Sequence, residues 1–210
     1  MNEHLRFSQT KRLELVQKAL QANRMGAHVV QTAAEVPALL QSMLQEGETV
    51  SFGGSVTLEE CGAFKLLRSG RYNLLDREAP GADKPAIFRQ SFYADTYLAS
   101  ANAITQSGHI YEIDGNGNRV AALAYGPARV ILVAGRNKIV ADIEAARQRN
   151  VLISGPANAH RVGAKTPCIT TGLCADCKSP GRICCTELII KQQQIQGRIQ
   201  VILVNEELGF

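Results

Sequence analysis

The sequence has no tryptophan and few other aromatic residues, and it has no apolar run at its start. The missing apolar run argues against a secreted protein and against an N-terminal membrane anchor. The first residues alternate charged with single apolar side chains, so they contain neither the apolar region of a signal peptide nor a bilayer span. We therefore expect a cytoplasmic protein without a membrane span. The net charge of +4 is modest and the Lys and Arg residues are spread along the chain, so no binding to nucleic acid is expected.

Cysteine is also scarce, except in one segment near the end of the chain. Five of the six cysteines lie between Thr166 and Glu187. A chain of 210 residues can bury a core without cross-links, and a reducing cytosol favours metal or redox chemistry at clustered thiols over structural disulfides. Cys61 lies apart from this segment, within a predicted helix, and is expected to be a small buried hydrophobe.

The spacing of these cysteines predicts a metal-binding loop at residues 166–185. A C-x2-C pair lets two thiolates reach one metal from a tight turn, and two further thiols complete a set of four. We expect Cys184 and Cys185 to begin a helix, where their side chains would point about 100° apart, so that only one of them is a ligand. The predicted ligands are Cys168, Cys174, Cys177 and Cys184.

The spacing leaves the identity of the metal open. Structural zinc commonly uses two C-x2-C pairs, and this segment has one. Uneven spacing, broken by Gly172, Pro180 and Gly181, favours a loop around an iron–sulfur cluster, with the 4Fe–4S type as the first choice and zinc as the alternative. Free or reversibly oxidised thiols are the third interpretation.

Short β-branched runs alternate with helical periods along most of the chain, and this pattern predicts a Rossmann-like α/β fold with a mostly parallel sheet and flanking helices. We find no internal repeat or linker, so one domain is predicted over residues 1–210. Turns rich in Gly and Asn, together with the apolar run Val120–Ala124, predict a β-meander beside the parallel strands. The Asp114–Gly117 stretch is interpreted as one of its hairpin turns, and Glu187–Gln193 is predicted to be a helix.

Two turns that follow predicted strands are candidates for anion binding. The first contains two glycines and two hydroxyl residues, and its exposed N–H groups suit a phosphate or carboxylate. The second carries Lys138, and ligands of open α/β sheets bind outside the carboxyl ends of the strands. The alternatives are a tight turn with a capped helix and a solvated lysine. A polar cluster after Pro156 adds a further candidate. The predicted anion-binding residues are Gly53, Gly54, Ser55, Thr57, Lys138 and Asn158.

Five segments that cover most of the chain carry a family resemblance. They are SFGGSVTLEECG from Ser51, NAITQSGHIYEIDGNGNRVAALAYGP from Asn102, VILVAGRNKIVADIEAARQR from Val130, GPANAHRVG from Gly155 and TGLCADCKSPGRIC ending at Cys184. In this order they resemble the LUD domain, the lactate-utilisation family, in its short branch with a C-terminal cysteine motif. The chain departs from that pattern at Cys185, where a polar residue is more usual, which favours Cys184 as the ligand.

The resemblance implies a fold similar to ribose-5-phosphate isomerase, glucosamine-phosphate deaminase and the CoA-transferases. It also implies a role in bacterial lactate oxidation, beside iron–sulfur partner proteins. We therefore expect a redox component that holds an iron–sulfur cluster and binds a small anionic metabolite. The alternative is a non-redox protein that binds or senses a phosphorylated or CoA-like metabolite, with a structural zinc or a metal-free cysteine loop. Whether the protein is itself an enzyme is left open.

Overall fold

A computed structural model describes residues 2–210, in which helices and strands alternate along the chain. The helices are α1 (Glu3–Ala22), α2 (Val36–Met43), α3 (Val56–Glu60), α4 (Ala63–Leu67), α5 (Lys84–Gln90), α6 (Asn118–Ala124), α7 (Ile143–Arg149), α8 (Gly155–Arg161) and α9 (Cys168–Thr171). The strands are β1 (Gly26–Val30), β2 (Thr49–Phe52), β3 (Asn73–Leu75), β4 (Thr96–Ala99), β5 (Ala103–Thr105), β6 (Ile110–Asp114), β7 (Arg129–Gly135), β8 (Ile139–Val140), β9 (Thr186–Ile190) and β10 (Ile199–Val204). No helix within this range is long and apolar enough to cross a membrane.

The main sheet contains six strands of the described chain, in the order β1-β10-β7-β4-β2-β3. Every neighbouring pair in it is parallel. Helices pack on both sides, so the predicted Rossmann-like α/β fold is confirmed. The carboxyl ends of β7, β4 and β2 are adjacent at one edge of this sheet, and that edge forms the candidate site.

The core lies on both faces of the main sheet because successive residues of a strand point to opposite sides. On β7, Val130 and Leu132 belong to one apolar cluster and Ile131 and Val133 to the other, and all four are fully buried. The first cluster also contains residues of α1, α6 and a second sheet of four strands, and the second cluster contains residues of α2, α3 and α4. The helix α1 buries one apolar face through Leu13, Val16 and Leu20.

A smaller sheet of the described residues has the order β8-β5-β6-β9. The predicted β-meander is correct in the antiparallel pairing of β5 with β6, but its expected continuation through Val120–Ala124 is wrong because these residues lie in α6. Gly117 begins that helix with a φ of +80°. The Asp114 carboxylate accepts hydrogen bonds from the N–H groups of Arg119 and Val120, which caps the helix.

The predicted helix at Glu187–Gln193 is also wrong. Residues Thr186–Ile190 form β9, which pairs antiparallel with β6 and places Ile190 opposite Ile110. A partner strand more than seventy positions away in the sequence decides this conformation, because β-propensity depends on the cross-strand neighbours. Cys184 and Cys185 therefore precede a strand, and the helical argument for choosing between them does not hold.

Candidate anion-binding crevice

The carboxyl ends of β2, β4 and β7 open into one crevice. Its volume is about 350 Å³. The turn after β2 contributes Ser55 and Thr57, the turn after β4 contributes Ser100 and Asn102, and the turn after β7 contributes Lys138. The two turns proposed from the sequence thus meet, although β4 lies between their strands. Binding outside the carboxyl ends of parallel strands is the usual arrangement in open α/β sheets.

Lys138 lies in this crevice with a relative exposure of only 3%. Its Nζ donates hydrogen bonds to Thr57 Oγ1 at 2.7 Å and to Ser100 Oγ at 2.8 Å. No carboxylate of residues 2–210 lies within ion-pair distance of this ammonium group. Burial, and secondly the charge of Arg149, lower the pKa of Lys138 to about 7. The alternative of a solvated lysine is therefore wrong, and the group lacks the counter-ion that an anionic ligand would supply.

The glycine turn after β2 both caps a helix and lines the crevice. The Ser55 hydroxyl accepts a hydrogen bond from the Leu58 N–H and so begins α3, while Gly54, Ser55 and Thr57 line the cavity. Gly53 is buried behind the lining. A Cβ at Gly53 would stand 3.0 Å from Arg119 Cδ and 3.1 Å from the Tyr97 hydroxyl oxygen, whereas at Gly54 the nearest contact would be 3.9 Å.

We therefore expect Gly53→Ala to destabilise the fold by about 1–3 kcal/mol, because the added methyl group overpacks the space held by Arg119. The matched control is Gly54→Ala, whose methyl group makes ordinary van der Waals contacts. Urea unfolding of the two variants measures the difference. Equal stabilities would contradict the close approach of Arg119 to Gly53.

The loop between β6 and α6 forms another wall of the crevice through Asp114, Gly115, Asn116 and Asn118. The sequence-based interpretation of Asp114–Gly117 as a hairpin turn is wrong, since the loop connects a strand to a helix. This loop also positions Arg119, whose side chain reaches into the crevice.

A buried ion pair lies behind that wall. Arg119 Nη1 donates to Glu112 Oε2, and Arg119 Nη2 donates to the Ile113 carbonyl and to Asn102 Oδ1. Glu112 is fully buried, and burial raises the pKa of its carboxyl group in spite of Arg119. Glu112 Oε1 has no hydrogen-bond partner in the described structure.

The mouth of the crevice carries two further arginines. Arg77 lies beside Gly54 and stacks over the Phe88 ring at 4.8 Å. Arg161 donates to Asn158 Oδ1 at 3.0 and 2.7 Å. The predicted residue Asn158 thus lines the crevice, while the neighbouring His160 is exposed and does not. No pattern in the sequence indicated Arg77.

The crevice is strongly cationic. The acidic side chains that line it are Glu78 and Asp114. The cationic side chains that line it are Arg77, Arg119, Lys138, Arg161 and Arg182. Glu78 is paired with Arg68, and Asp114 caps α6, so neither neutralises Lys138 directly. Such a lining favours anionic ligands.

The cysteine loop adjoins the same crevice through Arg182 and Ile183. Arg182 holds this part of the loop together, since its guanidinium donates to the Cys184 carbonyl at 2.9 Å and to the Cys177 carbonyl at 2.8 Å. The Cys185 N–H donates to the Asp114 carbonyl at 2.9 Å, which ties the loop to the crevice wall. The four predicted ligands are half-buried and Cys185 is exposed.

These thiols do not form a ready metal site. Among the residues that the structure describes, no three His, Cys, Asp or Glu side chains are grouped so that they could hold a metal ion. Burial is the main cause that raises the pKa of the Cys184 thiol, and the charge of Arg182 opposes this shift. Thiolates suit both iron–sulfur clusters and zinc, yet the thiols would have to move together to bind either. The ligand set stays a prediction.

Comparisons with known proteins agree with this fold. The model of the LUD domain family matches residues 13–204. A crystal structure of a DUF162 family protein from Deinococcus radiodurans is similar over 94% of this chain and 98% of that chain, with a TM-score of 0.54 and 17% identity. The crystal structure of eIF2B beta from Chaetomium thermophilum covers 53% of this chain and 44% of that chain at a TM-score of 0.40 and 14% identity, which is too weak to support a conclusion. No curated protein matches the sequence.

Proposed function

Because the chain belongs to the LUD domain family, which is associated with lactate utilisation, we propose that its crevice binds the anion of a 2-hydroxy or 2-oxo acid. The observation that carries this proposal is the buried ammonium group of Lys138, which is held by two hydroxyl groups and has no carboxylate partner in the described structure. A ligand carboxylate would supply the missing charge and accept charge-assisted hydrogen bonds. Ser55 and Asn102 are polar groups near enough to the same space to orient a ligand hydroxyl or carbonyl.

Calorimetric titration with lactate and pyruvate tests this proposal, with lactamide as the neutral control. The acids should bind and the amide should not, because only the acids carry the charge that Lys138 lacks. Raised salt should weaken the binding of the acids, since part of the attraction comes from the exposed cations at the mouth. Equal binding of lactamide, or no binding of either acid, would contradict an anion site.

The second part of the proposal is that the protein is a redox component whose cysteine loop holds an iron–sulfur cluster. It is supported by four half-buried thiols within one short loop and by cationic side chains such as Arg182, which would offset the charge of a thiolate-bound cluster. In this proposal the electrons pass to or from an iron–sulfur partner protein. The non-redox alternative keeps the anion site and replaces the cluster with zinc or with free thiols.

Iron and sulfide analysis of anaerobically purified protein decides between these alternatives. We expect a brown protein with iron and acid-labile sulfide, and we expect Cys184→Ser to lose both while the matched variant Cys185→Ser retains them. A colourless protein with one zinc per chain would reject the cluster. Loss of iron in Cys185→Ser and retention in Cys184→Ser would reverse the assignment of the fourth ligand.

A further inference from the structure

Three cations of the crevice have no carboxylate partner among residues 2–210, and they belong to two separate groups. Lys138 is buried and bonds to Thr57 and Ser100. Arg77 and Arg161 belong to the mouth, where Arg77 lies beside Gly54. The remaining cations of the lining are already paired, Arg119 with Glu112 and Arg182 with Asp176. The unpaired charge is thus divided between an inner and an outer position.

The inner position suits a small, singly charged group. Its donor is one compact ammonium, fixed between two hydroxyl groups and almost inaccessible to water. An ammonium of this kind acts as a point charge, which a single carboxylate oxygen can satisfy. The carboxylate of the proposed 2-hydroxy or 2-oxo acid is such a group.

The outer position suits a group of higher charge. The Arg77 Nε is buried and has no hydrogen-bond partner in the described structure. Arg161 uses its guanidinium only on the neutral oxygen of Asn158. Arg77 and Arg161 line the same crevice, and the carboxylate of Glu78 in that lining is already paired with Arg68. Two guanidinium groups that line one cavity and have free donors suit the oxygens of a phosphate, which accepts bidentate hydrogen bonds.

The size of the crevice agrees with a ligand longer than a three-carbon acid. Its volume of about 350 Å³ falls in the range of sites for small metabolites and cofactors. A lactate ion bound at Lys138 would leave the mouth unfilled and the charges of Arg77 and Arg161 uncompensated.

We infer that the crevice takes a phosphorylated carboxylic acid, with the carboxylate at Lys138 and the phosphate between Arg77 and Arg161. This inference rests on the proposed function, since it keeps the carboxylate position and adds a second anionic position. It narrows the ligand to metabolites that carry both a carboxylate and a phosphate. Such a metabolite is favoured over the same acid without its phosphate, because the outer arginines bind the phosphate.

Matched pairs of acids test the inference by calorimetry at low salt. The pairs are glycolate with 2-phosphoglycolate and glycerate with 3-phosphoglycerate, and inorganic phosphate serves as a separate probe. In at least one pair the phosphorylated acid should bind at least about tenfold more tightly than its partner and than phosphate, because it adds charge-assisted bidentate contacts. Arg77→Gln and Arg161→Gln should weaken the binding of the phosphorylated acid by at least about tenfold and that of the unphosphorylated acid by much less, because only the phosphate loses direct contacts. Arg71→Gln, an exposed position outside the crevice, should keep the tight binding of the phosphorylated acid.

The outcomes separate this inference from the proposed function. If the unphosphorylated acids bind and neither phosphorylated acid binds more tightly, the phosphate position is wrong and the carboxylate site stands. If inorganic phosphate binds as tightly as both phosphorylated acids, the crevice holds phosphate alone and the two-group ligand is rejected. If no acid of either kind binds, the proposed anion site fails and this inference fails with it. Circular dichroism and thermal unfolding confirm that each variant is folded.

Discussion

At pH 6.5, Lys138→Met is expected to weaken the binding of a carboxylate to the crevice by about 100-fold, because removing one partner of a buried charge pair costs about 2–5 kcal/mol. Methionine keeps most of the side-chain volume and removes the charge. Binding by the wild-type protein should also weaken as the pH rises above about 7, where Lys138 loses its proton. Calorimetry at several pH values measures both effects. The control is Lys191→Met, which removes an exposed lysine.

Lys138→Met is also expected to change how the free energy of unfolding depends on pH. The pKa of Lys138 is lowered to about 7 in the folded protein, from an ordinary value of 10.5. Below pH 7 the ammonium is charged in the folded and in the unfolded protein, so the folded state bears the whole cost of burying the charge. As the pH rises from 7 towards 10.5 the folded state releases this proton first, so the free energy of unfolding rises by up to about 1.4 kcal/mol per pH unit.

The free energy of unfolding of Lys138→Met should lack this rise with pH. Its gain in stability over the wild type should therefore be largest at acidic pH. Urea unfolding of the wild type and the variant at pH 6 and pH 9 gives the difference between them, in which the titration of all other groups cancels. An equal difference at the two pH values would show that Lys138 is not desolvated in the folded protein.

Arg119→Met is expected to destabilise the fold by about 3–5 kcal/mol, because it leaves the carboxylate of Glu112 buried without its cation. Burial already raises the pKa of Glu112, and loss of Arg119 should raise it further. A folded-state pKa above the unfolded value gives stability that is present at low pH and lost as the pH rises through the folded pKa. The loss of stability caused by Arg119→Met should therefore be smaller at pH 5 than at pH 8.

The double variant Glu112→Gln with Arg119→Met serves as the control. It removes both charges and keeps the side-chain volumes nearly unchanged, so it should be more stable than Arg119→Met alone at pH 8. Urea unfolding compares the two. If the double variant were no more stable, the loss would come from the contacts of Arg119 with Asn102 and Ile113 rather than from the buried charge.

Those parts of the fold and of the site that depend on local patterns could be predicted from the sequence. Apolar runs followed by Gly53–Ser55 or by Gly135 indicated parallel strands that end at candidate anion-binding turns, and the structure brings Thr57 and Lys138 together there. Non-local contacts decided the remainder. The conformation of β9 depends on its pairing with β6.

The outer part of the site could not be predicted for the same reason. Arg77 follows the edge strand β3, and it reaches the crevice only because β3 pairs with β2. Nothing near Arg77 in the sequence distinguishes it from a solvated surface arginine. Arg119 is a related case, since its role depends on the capping of α6 by Asp114.

The hydrogen bond from the Cys185 N–H to the Asp114 carbonyl means that the cysteine loop and the crevice share a wall. Arg182 and Ile183 extend that wall from the loop side. Any rearrangement that draws Cys174, Cys177 and Cys184 together must pull on the same backbone. The free energy of such a rearrangement is then linked to the free energy of ligand binding, and linkage of this kind is reciprocal. A ligand that changes the state of the loop must have its own affinity changed by the same factor when the loop changes state.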